Sequence, residues 1–148
     1  MTRNAARLFA IAVAALTCST AAGAADIPET LSQWGLLGTW ALDCQSQPSR
    51  NDVHETWVRR GGEVFLERNG GDFQDSNKVL DASIAPDGLL EMQIEFKGFS
   101  QTRVNVITKR PDGRKRAITN HDMRGTYTVR DGKFTGHDRE TPWMTRCR

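Results

Sequence analysis

The chain has 148 residues, with 20 lysines and arginines against 18 aspartates and glutamates, and three cysteines. That length fits one domain. A charge this close to balance removes the electrostatic case for nucleic-acid binding, which rests on a basic excess.

The first segment, MTRNAARLFAIAVAALTCSTAAGAAD, has the organisation of an export signal. Arg3 and Arg7 form the positive end, Leu8 to Leu16 the apolar stretch, and Ala22-Gly23-Ala24-Ala25 a small-residue cleavage zone. A buried N-terminal helix is the competing reading. Leu16-Thr17 before Cys18 lacks the small residue that a lipid-attachment cysteine follows. The expectation is a signal peptide over residues 1–25, cleavage before Asp26, and a periplasmic or secreted domain over 26–148. Losing Arg3 and Arg7 leaves the basic and acidic residues equal in number. No stretch reaches the ~20 apolar residues of a membrane-spanning helix, so no membrane span is expected.

Next comes DIPETLSQWGLLG. Pro28 suits a first helical position and Glu29 the positive end of the helix dipole, so a short helix over Pro28–Trp34 is predicted, stopped by Gly35. The following GTWALDCQSQPSRN opens the first strand. Beyond it the chain is punctuated by Gly61-Gly62, Asn69-Gly70-Gly71, Asp87-Gly88, Gly98, Asp112-Gly113, Gly125 and Asp131-Gly132. Glycine accepts the positive φ of tight turns, and a preceding Asp or Asn bonds locally to the backbone. Strands are predicted at 37–44, 53–60, 63–68, 78–85, 89–97, 101–109, 114–123 and 126–130, with a return at 133–136 or 143–147. In LLEMQIEF, Leu90, Met92, Ile94 and Phe96 share one face. In QTRVNVITK, Val104 and Val106 oppose Arg103, Asn105 and Lys109, the alternation of a sheet with one wet face.

The expected fold is therefore all-β: a single antiparallel meander of eight or nine strands closing into an up-and-down barrel, with a short N-terminal helix plugging one end. After cleavage two cysteines remain, Cys44 and Cys147. In an oxidising compartment they most simply pair with each other, and the bond would hold the first strand to the C-terminus. A metal site is the weaker alternative, because no histidine stands at ligand spacing. Charge divides along the chain: residues 26–95 hold 13 acidic and 5 basic residues, and residues 96–148 hold 5 acidic and 13 basic. Attraction between the two halves of the meander explains this simply; a basic face for an anionic partner, including the tip KRPDGRKR at 109–116, is the sharper alternative.

With Trp34, Gly38 and Trp40 in place, the start resembles the lipocalin or calycin group, in which a short helix leads through Gly-x-Trp into the first strand of an eight-stranded barrel. The resemblance implies that Gly38 and Trp40 are structural and that Arg146 is the late arginine stacking on the tryptophan. No match to the group's Thr-Asp-Tyr-type motif is found. A longer pattern is similar to small exported bacterial proteins of no assigned activity. It runs through Gly38, Trp40, Asp43, Cys44, Pro48, Ser49 and Asn51, then Tyr127, Val129, Asp131, Gly132 and Lys133, then Thr141, Pro142, Trp143 and Cys147. It brings no chemistry with it.

The sequence carries little that points to chemistry. Both cysteines are committed, no Gly-x-Ser-x-Gly elbow exists, and His54, His121 and His137 are far apart with no metal-ligand spacing. No catalytic residue, metal or cofactor is assigned, and the protein is not expected to be an enzyme. What remains is a binding constellation. Trp57, Phe65, Met92, Ile94, Phe96, Val104, Val106, Ile118 and Tyr127 supply apolar area, with Arg103, Arg116 and Asn120 as polar anchors. The candidate ligand-binding set is Trp57, Phe65, Met92, Phe96, Arg103, Arg116, Asn120 and Tyr127. The leading functional expectation is a monomeric binder of a small, largely apolar ligand. The alternative is a filled barrel that engages an envelope protein through its loops, for example as a protease or lysozyme inhibitor, with KRPDGRKR and NGGDFQDSN (69–77) as contact surfaces. Eight strands leave an interior just wide enough for side chains, so both a filled core and a cavity are open.

Overall fold

A computed structural model describes residues 26–147; the signal expected at 1–25 lies outside the described residues. Asp26 starts the first element, α1 (Ile27–Trp34), by accepting the Glu29 N–H on its carboxylate, and Pro28 occupies the first turn. Gly35, at φ 82°, ends the helix in the left-handed conformation, where its N–H reaches back to the carbonyls of Leu31 and Ser32. The buried side of α1, Leu31 and Trp34, joins a core with Leu36, Trp40, Val64, Val79, Leu90 and Ile94. Three contacts tie the helix end down. The Trp34 indole donates to the Gly88 carbonyl at 2.9 Å, Lys109 donates to the Trp34 carbonyl, and the Lys109 ammonium lies 4.6 Å from the Trp34 ring. One end of the sheet is thus plugged by the helix.

Ten strands follow: β1 (Gly38–Ala41), β2 (His54–Arg60), β3 (Glu63–Asn69), β4 (Gln74–Ile84), β5 (Leu90–Phe96), β6 (Gln101–Lys109), β7 (Lys115–Asp122), β8 (Tyr127–Arg130), β9 (Lys133–Phe134) and β10 (Thr145–Arg146). They form one antiparallel sheet in the order β10-β1-β2-β3-β4-β5-β6-β7-β8-β9. The meander is the predicted one, curled into a half-barrel, with ten strands in place of eight or nine because both candidate return segments pair. β9 and β10 share no ladder. The seam is spanned instead by the chain between them. Thr141 N–H donates to Gly132 O at 2.8 Å, Lys115 and Met144 exchange both backbone bonds at 2.8 and 3.1 Å, and Cys147 N–H donates to Thr39 O at 2.7 Å.

Two boundaries differ from expectation for identifiable reasons. β1 ends at Ala41, not at residue 44, because the N–H groups of Leu42 and Asp43 turn to the Asp52 carboxylate, at 2.8 and 3.1 Å. β4 begins at Gln74 and not at 78, with Gln74 to Asn77 paired to Leu66–Asn69. The segment 69–77, expected as a contact loop, is therefore mostly strand.

Gly38 has φ 118°, and a Cβ there would lie 3.2 Å from the Arg146 guanidinium. Arg146 crosses this bare backbone and donates to the Leu37 carbonyl at 2.6 Å. The resemblance placed Arg146 on the tryptophan; in the structure it covers the glycine. Trp40 is 1% exposed and donates its indole N–H to Leu36 O at 2.7 Å.

Cys44 and Cys147 are disulfide-bonded, with Cα atoms 5.4 Å apart and 103 residues of separation. A loop that long corresponds to about 4–5 kcal/mol of denatured-state entropy. Cys44→Ser and Cys147→Ser should each cost up to about that much in denaturant unfolding. The double variant should cost no more than either single one, since one bond cannot be broken twice. Additive losses would show that the two positions act independently.

Candidate functional site

Directly opposed residues of antiparallel strands share a face. Starting from the buried Leu90, Met92 and Ile94 of β5, the register runs inward through their β6 partners Ile107, Asn105 and Arg103. It continues to Asn120 and Ala117 on β7 and to Val129 on β8. Val104 and Val106, taken as the apolar face of β6, therefore point outward, and Arg103 and Asn105 point in. The same reasoning on the other wall places Trp57 and Glu55 of β2, Leu66 and Arg68 of β3, and Asp75 and Asn77 of β4 inside.

The interior has two halves. Near α1 it is filled by the apolar core. Toward the other end it is hollow, with a cavity of about 620 Å³. Trp57, Leu66, Met92, Phe96, Ile107, Val129 and Met144 form apolar walls, and Glu55, Arg68, Asn105, Lys115 and Asn120 supply polar groups. Exposed Arg50, Asn51, Arg139 and Glu140 stand at the rim. Of the candidate set, Trp57, Met92, Phe96 and Asn120 line this space; Phe65, Arg103, Arg116 and Tyr127 do not. Phe65 opposes Val58 on the outer face, under the Arg60 guanidinium at 5.7 Å. Tyr127 lies outside against His121, ring centroids 5.0 Å apart. Arg116 pairs with Glu140 at 2.8 Å beside Trp143. Arg103 faces inward but is spent on Asn120, Gln101 and Thr128.

Lys115, which belongs to the charged tip KRPDGRKR expected as part of a contact surface, is 3% exposed. Its ammonium is 2.6 Å from Glu55 Oε2 and 3.6 Å from Met144 Sδ. It also lies 5.3 and 5.8 Å from the rings of Trp40 and Trp57. A desolvated ammonium is tolerable only with such partners, a carboxylate and two ring faces. Arg68 is fixed similarly, forked onto Asp75 and lying 4.9 Å over Phe96. The two cations deep in the cavity, Lys115 and Arg68, thus each have a carboxylate. Trp57 is different: its indole nitrogen is buried with no hydrogen-bond partner.

The loop from Asp43 to Val53 forms part of the rim, and Asp52 is its hub. Its carboxylate accepts from Leu42 N, Asp43 N and, at 2.6 Å, from the Ser46 hydroxyl, with His54 Nε2 4.0 Å away. Burial pushes the Asp52 carboxyl up, but the Ser46 bond, the two backbone bonds and His54 outweigh it and hold it below the ordinary value. No group of three or more His, Cys, Asp or Glu side chains with metal-binding geometry occurs among the described residues.

Comparison with known proteins finds no match to any family, to any curated protein or to any solved structure.

Two measurements check this arrangement. Lys115→Met leaves Glu55 without its cation and should destabilise the protein by about 1–3 kcal/mol. Adding Glu55→Gln should recover part of the loss in a double-mutant cycle, whereas simple additivity would mean the pair is uncoupled. For Asp52 the lowered folded-state pKa sets the sign. Its stabilising contribution is complete above its ordinary value near 4 and is lost as pH falls through the lower folded value. The melting temperature of Asp52→Asn should accordingly fall less between pH 5 and pH 2 than that of the parent, these pH values being approximate limits around that titration.

Proposed function

We propose that the protein is an exported, lipocalin-like binding protein that holds one small, largely apolar molecule in the half-open cavity. The observation that carries this reading is the cavity itself. About 620 Å³ falls within the roughly 300–1,000 Å³ usual for small-molecule sites, and the space combines apolar walls with a few placed polar groups. The scaffold suits the role, because the plugged end and the disulfide fix the strands while the rim stays open. The disulfide fits an oxidising compartment, in keeping with the export signal read at residues 1–25.

The alternative, an envelope protein acting through its loops, draws on one outer feature. Trp143 is held between the Arg110 and Arg116 guanidiniums, at 3.8 and 4.7 Å from its ring, next to the tip at 109–116. It leaves the cavity without a use.

The uncharged fluorophore N-phenylnaphthylamine tests the proposal. Protein residues 26–148 should bind it saturably, one to one, with energy transfer from tryptophan and a Kd on the order of micromolar. Ala117→Phe, which grows a ring into the cavity, should weaken binding about tenfold while melting stays cooperative. Absence of saturable binding, or indifference to the Ala117 substitution, would overturn the proposal.

A further inference from the structure

The polar side of the cavity has a direction, and that direction selects the ligand's polar group. Arg103, on β6, carries only donors. Its Nε donates to Asn120 Oδ1 at 2.5 Å, and its Nη2 donates at 3.0 Å to the Thr128 hydroxyl. That hydroxyl in turn donates to the same Asn120 oxygen at 2.8 Å. Two donors on one atom fix the Asn120 amide: its oxygen faces Arg103, so its nitrogen faces across the strands. There Asn120 Nδ2 donates to Asn105 Oδ1. The Asn105 oxygen is thereby occupied, and its Nδ2 is the terminal donor. This nitrogen bonds no other described residue, and Asn105 is a half-buried lining residue of the cavity. A chain headed by a guanidinium polarises each amide toward the next, so the last N–H is a stronger donor than an isolated amide.

A second observation has the same sign. The buried Trp57 indole nitrogen, on another lining residue, is a donor with no acceptor. The cations inside, Lys115 and Arg68, already have carboxylates, at 2.6 Å for Lys115–Glu55 and 2.9 Å for Arg68 Nε–Asp75. Deep in the cavity an incoming carboxylate would therefore meet no unpaired lining cation, since Arg103, bonded only to neutral groups, does not line it and Arg139 stands exposed at the rim, and burial there is costly.

We infer that the bound molecule is an uncharged amphiphile with a carbonyl group, such as a ketone, ester or amide, whose oxygen accepts the hydrogen bond of Asn105 Nδ2. This rests on the cavity-binding reading and adds polarity to it. Asn105 is the specificity-determining residue, and Arg103 and Thr128 are positioning residues that act through Asn120.

The test displaces N-phenylnaphthylamine with four chains of equal length, decanone, decanol, decanoate and decylamine. Decanone should displace it at about one tenth of the concentration that the others need; the alcohol oxygen also accepts from Asn105, but its O–H is then stranded beside a donor, at about the cost of one unmade hydrogen bond. Asn105→Asp replaces the terminal donor by an acceptor in the same shape and should remove or invert the preference of ketone over alcohol. Arg103→Met, which frees the Asn120 amide to turn, should shrink the preference while the fluorophore still reports on the cavity. Near-ultraviolet circular dichroism confirms that each variant is folded. Equal displacement by ketone and alcohol, or strongest displacement by decanoate or decylamine, would overturn the inference even with the cavity binding intact. Failure of the fluorophore itself to bind would instead bring down the underlying reading.

Discussion

The buried ammonium of Lys115 is the point on which the rest of this structure turns. Its backbone exchanges both hydrogen bonds with Met144, holding the C-terminal segment across the seam. Its side chain reaches Glu55 on β2 and lies beside the rings of Trp40 on β1 and Trp57 on β2. One residue therefore joins the two walls of the sheet at the level where filled core gives way to cavity. Ion pairs in such places are often no better for stability than a well-packed apolar group would be, but they are intolerant of a missing partner. The result is a rigid floor with a fixed polarity, which an all-apolar interior would not supply.

Above that floor, the interior polar residues are organised by register and not by local composition. Arg68–Asp75 and Lys115–Glu55 cancel in charge, and Asn105–Asn120 relays the influence of Arg103 without carrying charge into the cavity. Satisfied networks of this kind cost little and discriminate strongly, because a guest that cannot complete them leaves a donor stranded.

Much of the architecture was legible in the sequence because it depends on strictly local chemistry. Asp26, Pro28 and Gly35 delimit α1 through capping, and the glycine turns delimit the hairpins. Cys44 and Cys147, the two cysteines beyond the expected export signal, most simply pair with each other, as they do in the structure. The site was less legible. Along β6 alternation shows that Arg103 and Asn105 share a face opposite Val104 and Val106, but it cannot say which face is inside. Only the pairing of Ile94 with Arg103 decides that. Gln74 to Asn77 contain no apolar residue and so read as loop, although their inward members Asp75 and Asn77 are accommodated by Arg68 and by each other. Lys115 stood in a run of charges, where a solvated tip is the ordinary outcome. Its burial follows from Trp40, Trp57, Glu55 and Met144, all distant in the chain.

The topology also has a kinetic meaning. Every neighbouring pair from β1 to β9 is consecutive in sequence, so those ladders can form as local hairpins with small loop-closure costs. The pairing of β1 with β10 is the exception, joining Trp40 to Arg146 across nearly the whole described chain. Its entropy cost is met only once the hairpins between have already drawn the ends together. Cys44 and Cys147 sit just beyond that final pairing, so their sulfurs meet only after the sheet has curled. The bond acts as a latch that closes on a finished sheet and leaves the order of assembly to the hairpins.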